Sequence, residues 1–241
     1  MTRRRDNVLL IDADDTLWEN NIYFERAIAG FTTHLQRTLG EAAGVPEAAI
    51  RERIRERINA QERRIIVEMG YGLGSFRVAL ARAYRDVAPH AWNAEAEAMI
   101  AALAAAIAQA PIELMPGAVE TLRYLAPRHR LLLLTKGDYA EQFGKVTRSG
   151  LASWFEQVHV VAEKDEAVYR TQLDRLGVPP GRCWMIGNSP RSDVNPALAA
   201  GLNAVFIPHP WTWVLEHDDI VLCHGRECLQ LDRFADLRDH F

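Results

Sequence analysis

Lysine is almost missing from this 241-residue chain: of 28 Lys plus Arg residues only Lys136, Lys145 and Lys164 are lysines, and none precedes position 136. No segment supplies the roughly 18 continuous apolar residues of a transmembrane helix, which excludes a span of that kind. Cysteine is scarce as well. Cys183, Cys223 and Cys228 are odd in number and form no CxxC pair, so reduced thiols are expected rather than a disulfide or zinc framework. An excess of basic charge is also lacking. The formal net charge of −4 and a pI near 6.1 argue against nucleic acid or an anionic membrane as partner and favour a small molecule. The opening Met1-Thr2-Arg3-Arg4-Arg5 imitates the start of a signal peptide, but the apolar run Val8 to Ile11 is interrupted by Asp12, Asp14 and Asp15, too soon for export. A cytoplasmic location is the expectation.

No low-complexity tract appears, and 49% hydrophobic with 25% charged residues is the balance of a folded globular chain. Short apolar runs at Val8 to Ile11, Leu131 to Leu134, Val158 to Ala162, Trp184 to Ile186 and Ala204 to Ile207 predict buried strands. Helical stretches separate the later ones: Ala118 to Leu125, Tyr139 to Arg148, Glu166 to Leu176, and Ala197 to Ala200. This alternation predicts an α/β fold, a Rossmann-like parallel sheet with helices on both faces, built from residues 1–18 and 113–241. Ile220 to Cys223 is a further candidate edge strand, and His209-Pro210-Trp211-Thr212-Trp213 either packs on the core or lines an entrance.

Residues 19–112 break the rhythm and predict an inserted helical domain. Ile50, Ile54 and Ile58 form one apolar stripe among Arg and Glu, and Met99 to Ala110 is a second helix ended by Pro111. Between them Gly70-Tyr71-Gly72-Leu73-Gly74-Ser75-Phe76 predicts a flexible turn. Tyr71 and Phe76 are its candidate substrate-binding residues.

The densest chemistry follows the first strand, where Asp12-Ala13-Asp14-Asp15-Thr16-Leu17 crowds three carboxylates. Crowded carboxylates repel and are costly to bury unless a cation or hydrogen bonds stabilise them. A hard divalent ion such as Mg²⁺, which takes one or two carboxylates, does so naturally.

Asp12-x-Asp14-x-Thr16 after an apolar strand resembles the first motif of the haloacid dehalogenase superfamily. Leu131 to Leu134 followed by Thr135 is similar to its second motif, Lys164 to its third, and Gly187-Asn188-Ser189-Pro190-Arg191-Ser192-Asp193 to its fourth, in the right order from Val8 to about Pro208. In a chain that uses arginine so heavily, a lysine at position 164 points to a need for a compact ammonium.

The resemblance implies a Mg²⁺-dependent phosphatase with an alpha-helical cap. Asp12 is then the nucleophile that becomes an aspartyl phosphate, and Asp14 the acid and base. Thr135 and Lys164 hold and neutralise the phosphoryl group, and Lys136 beside them is a substrate-binding candidate. The implied metal ligands are Asp12, the Asp14 backbone carbonyl, and Asn188 or Asp193 from the fourth motif. That motif usually begins Gly-Asp, so Gly187-Asn188 is a departure that removes one negative charge from the metal site.

The alternatives are a 2-haloacid dehalogenase, which needs no acid at Asp14, and a non-catalytic member that binds phosphate-bearing ligands. A carbon–phosphorus hydrolase with a cap lysine is disfavoured by the lack of any lysine before Lys136. A small phosphate monoester is the expected substrate, with sugar phosphates, phosphoglycolate and nucleoside monophosphates all open.

Overall fold

Alternate side chains of a strand point to opposite faces. In β1 (Val8–Ile11), Leu9 and Ile11 pack with Leu131, Leu133 and Ile186, whereas Val8 and Leu10 pack with Leu132, Leu134 and Met185. A strand that is apolar on both sides must be covered on both sides, as parallel sheets are. The computed structural model, which describes residues 7–39 and 46–241, has this arrangement. The opening arginine segment lies outside the described residues.

Six strands lie in one parallel sheet ordered β3-β2-β1-β4-β5-β6: besides β1, these are β2 (Arg130–Lys136), β3 (Gln157–Val161), β4 (Cys183–Gly187), β5 (Asn203–Phe206) and β6 (Cys228–Gln230). The chain builds outward from β1 to β3 and then crosses to β4 on the other side. Strand order therefore reverses at β1, and in doubly wound sheets ligands bind beyond the carboxyl ends of the strands at such a point. Asp12 follows β1 there, Lys136 ends β2, and Asn188 follows β4.

The chain divides into two units. One comprises Met1–Asn21 and Ile112–Phe241, the other Ile22–Pro111. Among its described residues the second has helices and no strand. It holds α2 (Glu47–Met69), α3 (Leu73–Val87), α4 (Ala94–Ala108) and all but the first residue of α1 (Asn21–Leu39). Ile54 and Ile58 of the predicted stripe are fully buried there with Phe31, Leu80 and Tyr84. The α4 helix starts earlier than the sequence suggested because Asn93 caps it, its side chain accepting from the Ala96 N–H.

Two expectations need correction. The glycine-rich segment is a shorter turn than predicted, because α3 already begins at Leu73 and takes in Gly74, Ser75 and Phe76. The edge strand is not Ile220 to Cys223. Ile220 and Cys223 pack on Val194, Leu198 and Ala204, and Val221 and Leu222 are exposed, while Cys228–Gln230 takes the edge against Ala204–Phe206.

The remaining helices of the sheet unit are α5 (Ala118–Leu125), α6 (Tyr139–Ser149), α7 (Glu166–Leu176) and α8 (Asn195–Ala200). Asp138 and Asp165 cap α6 and α7, and Gly150, Gly177 and Gly201 end α6, α7 and α8 in the left-handed conformation. These caps fix where α6 and α7 leave their strands.

Candidate active site

The Asp12 N–H donates to Ile186 O at 2.9 Å, which extends the β1 ladder by one residue before the chain turns at Ala13 to Leu17. The carboxylate is thereby fixed at the sheet's carboxyl end. It is buried, and so are its neighbours Lys164 and Asp193. Lys164 Nζ donates to Asp12 Oδ1 and, at 2.7 Å, to Asp193 Oδ1. One ammonium thus serves two carboxylates. Burial raises the Asp12 pKa to about 7, with Lys164 opposing the rise and Asp193 adding to it. Burial lowers the Lys164 pKa, but Asp12 and Asp193 outweigh it and hold that pKa above its ordinary value.

Asp193 sits in a π-helical turn, Pro190–Val194, between β4 and α8. Its second oxygen accepts the Ser189 N–H at 3.0 Å, so both oxygens are occupied. The fold admits it only because residue 187 lacks a side chain: a Cβ on Gly187 would lie 2.8 Å from Asp193 Cβ and nearer still to its carboxylate.

Asn188 is placed differently. Its Oδ1 lies 3.4 Å from Thr16 Oγ1, which also donates to Asp12 Oδ2 at 3.2 Å. Asp12 and Asn188 therefore offer oxygens on the two sides of one hydroxyl. This set, with a buried excess of negative charge, fits Mg²⁺. Asp12 and Asn188 are the side chains that would hold it.

The side chain of Asp14 points elsewhere. Its Oδ1 accepts from Trp18 Nε1 at 2.8 Å, and its Oδ2 from Gln142 Nε2 at 2.9 Å and Lys145 Nζ at 2.5 Å. Burial would raise the pKa, but Lys145 and these donors bring it below the usual carboxylate value. Thr135 is buried at the end of β2, two residues beyond Leu133, the register partner of Ile11.

Lys136 is committed to Glu216 (2.5 Å), Ser192 Oγ (2.7 Å) and Glu163 (3.3 Å). Glu216 also accepts from Ser189 Oγ at 2.6 Å and Ser192 Oγ at 2.5 Å, which fastens the C-terminal segment to the fourth-motif loop. Of the remaining candidates, Tyr71 lies half-buried in the turn of the helical unit. Phe76 is buried in that unit's core, edge-on to Phe24 at 5.0 Å, and packing accounts for it without a ligand.

Sequence reasoning missed Gln142, Lys145, Thr212 and Glu216. A signal existed for one: the lysine scarcity that singled out Lys164 applies equally to Lys145, and all three lysines converge on this site. Gln142 shares its helix face, three residues earlier.

One further group could ligate metal: Asp15, Glu19 and His209 have donor atoms within 4.8 Å of one another. Asp15 takes the left-handed conformation at φ 59°, and its carboxylate accepts the N–H groups of Asn20 and Asn21 at 2.9 and 3.0 Å. These bonds support the start of α1 and compensate an uncommon backbone conformation.

The model of the haloacid dehalogenase-like hydrolase family matches residues 7–201. The chain belongs to that family.

Among curated relatives, the hydrolase is 38% identical to N-acylneuraminate-9-phosphatase of Rattus norvegicus over 80 residues, 31% of this chain and 32% of that protein. It is 34% identical to phosphoserine phosphatase of Thermus thermophilus over 82 residues, 32% and 33% of the two chains. The match thus spans about a third of these relatives. A haloacid dehalogenase-like hydrolase from Xanthomonas campestris has the same fold, with TM-score 0.79 and 24% identity over 99% of this chain and 95% of that one. L-2-haloacid dehalogenase from Xanthobacter autotrophicus shares it at TM-score 0.59 and 16% identity over 97% of each. Among the described residues no helix is long and apolar enough to cross a membrane.

Proposed function

We propose that this hydrolase is a phosphatase that cleaves a small phosphate monoester through an aspartyl phosphate on Asp12. The observation that carries the reading is the pairing of a buried Asp12, held by Lys164, with a second carboxylate at Asp14 kept apart from it by its own donors. A carboxylate nucleophile alone suits halide displacement as well. A separate proton carrier two residues on is what a phosphate ester requires, because its leaving oxygen must gain a proton and the incoming water must lose one.

In this reading Asp12 attacks phosphorus, the bond to the leaving oxygen breaks, and Asp14 supplies that oxygen's proton. Water then attacks phosphorus, Asp14 takes the water's proton, and the bond to Asp12 breaks to release inorganic phosphate. Lys164 compensates the charge at the phosphoryl group, and Thr135 offers it a hydroxyl. Mg²⁺, when bound, would add positive charge against the transferring oxygens. Asp193 keeps Lys164 aimed and Asn188 contributes a neutral oxygen beside Asp12.

The phosphatase names of the matched relatives support this choice of chemistry. The test is phosphate release from a panel of small phosphate esters with and without Mg²⁺, beside halide release from a 2-haloacid. Phosphate release that needs Mg²⁺ and disappears in Asp12→Asn is expected. Halide release without phosphate release would overturn the assignment.

A further inference from the structure

We propose that Thr212 selects which atom of Asn188 faces Asp12, and thereby makes asparagine rather than aspartate the matched residue at position 188 for a divalent cation. The inference rests on the phosphatase reading but concerns residues that reading leaves unassigned. Pro208-His209-Pro210-Trp211-Thr212 is a proline-flanked turn in which both the N–H and the hydroxyl of Thr212 donate to His209 O, at 3.1 and 2.9 Å. A hydroxyl has one proton and two lone pairs. With the proton spent inside the turn, Thr212 presents only lone pairs to its other neighbour, and that neighbour is Asn188 Nδ2 at 3.2 Å.

The amide is a donor on one side and an acceptor on the other. Committing Nδ2 to Thr212 leaves Oδ1 on the side of Thr16 Oγ1, 3.4 Å away, and so beside Asp12 Oδ2. The tail segment thus aims an oxygen at the position a cation would take. Aspartate at position 188 would instead set a carboxylate oxygen against the lone pairs of Thr212, unless the hydroxyl gave up His209 O. The missing negative charge at this position therefore has a partner elsewhere in the chain that is built to accept a hydrogen bond. Asn188 is itself buried, so this orientation is not left to solvent.

The inference predicts a coupling of characteristic sign. Mg²⁺ alone is the probe, titrated without substrate and followed by calorimetry or tryptophan fluorescence, in wild type, Thr212→Val, Thr212→Ser, Asn188→Asp and the double variant that combines Asn188→Asp with Thr212→Val. Thr212→Val should weaken Mg²⁺ binding about fivefold, the worth of one neutral hydrogen bond, while Thr212→Ser stays within about twofold of wild type. In the Asn188→Asp background, Thr212→Val should leave binding unchanged or tighten it. Equal fold-losses in both backgrounds, or a Thr212→Val protein that binds as wild type does, would overturn the inference while leaving Mg²⁺-dependent phosphate release intact. A wild type that neither binds Mg²⁺ nor needs it for phosphate release removes the underlying reading as well. If Asn188→Asp does not fold by circular dichroism, the contrast between Thr212→Val and Thr212→Ser decides.

Discussion

In the proposed mechanism Asp14 gives a proton and later takes one, yet its carboxylate accepts donations from Trp18, Gln142 and Lys145. Such a setting favours the ionised form, which is ready as a base and must be displaced to act as an acid. Lys145 is the strongest of these influences after burial, and it also donates to Asn20 Oδ1 at 3.1 Å. In that mechanism it is a positioning residue. The sign of its effect follows directly. Lys145 lowers the Asp14 pKa, so Lys145→Met lets that pKa rise, and the base form is lost at a higher pH. With an aryl phosphate, whose leaving group departs without a proton, the acidic limb of the kcat profile should therefore move to higher pH. With an alkyl phosphate, whose leaving oxygen needs the Asp14 proton, the raised pKa leaves more of the acid form, so kcat should fall less than with the aryl phosphate or rise, with KM little changed. A pH profile that overlays the wild type would remove Lys145 from this role. The same pairing stabilises the fold above the carboxylate's ordinary pKa and fades as pH falls through the lowered one.

The β4 strand and the turn after it act as one element, because Gly187 is where the backbone lets Asp193 fold back over the strand. Gly187→Ala forces either the strand end or the carboxylate aside. A loss of about 1–3 kcal/mol of stability is expected from overpacking, measured by denaturant unfolding. Lys164 would then lose one of its two partners. The element scale also marks how far the sequence could be read. Each strand of the sheet's interior announced itself as an apolar run, and the residues that end the strands follow within the same local window, so Asp12, Thr135 and Asn188 were visible. Their partners come from elsewhere. Gln142 and Lys145 lie on a helix face whose direction depends on packing, and Glu216 reaches Ser189, Ser192 and Lys136 from a tail with no periodic signal. Ile220 to Cys223 was misleading because its apolar residues split between a small cluster and solvent. The true edge, Cys228–Gln230, is three residues long and is defined by register with β5.

For the whole molecule, the three lysines stand at one end of the sheet, and there they do not balance the acids they meet. Lys145 answers Asp14, Lys136 answers Glu216 and Glu163, and Lys164 alone faces Asp12 and Asp193. Uncompensated buried charge opposes folding, and functional sites retain it because catalysis needs it. Burial raises the Asp12 pKa to about 7, so the cost is present above that pH and shrinks as pH falls toward the ordinary value of 3.8. Asp12→Asn keeps the shape, leaves Lys164 paired with Asp193, and removes the excess charge. At about pH 8 in chelator, Asp12→Asn should therefore be more stable than wild type by roughly 1–2 kcal/mol, although the proposed mechanism makes it inactive. Mg²⁺ should close the gap from the other side, raising the wild-type Tm by mass action while scarcely moving that of the variant. Thermal melts of both proteins across a Mg²⁺ series test this. A variant that melts lower than wild type in chelator, or an equal Mg²⁺ shift in both, would show that Asp12 is fully compensated by Lys164 and that no cation is needed to complete the site.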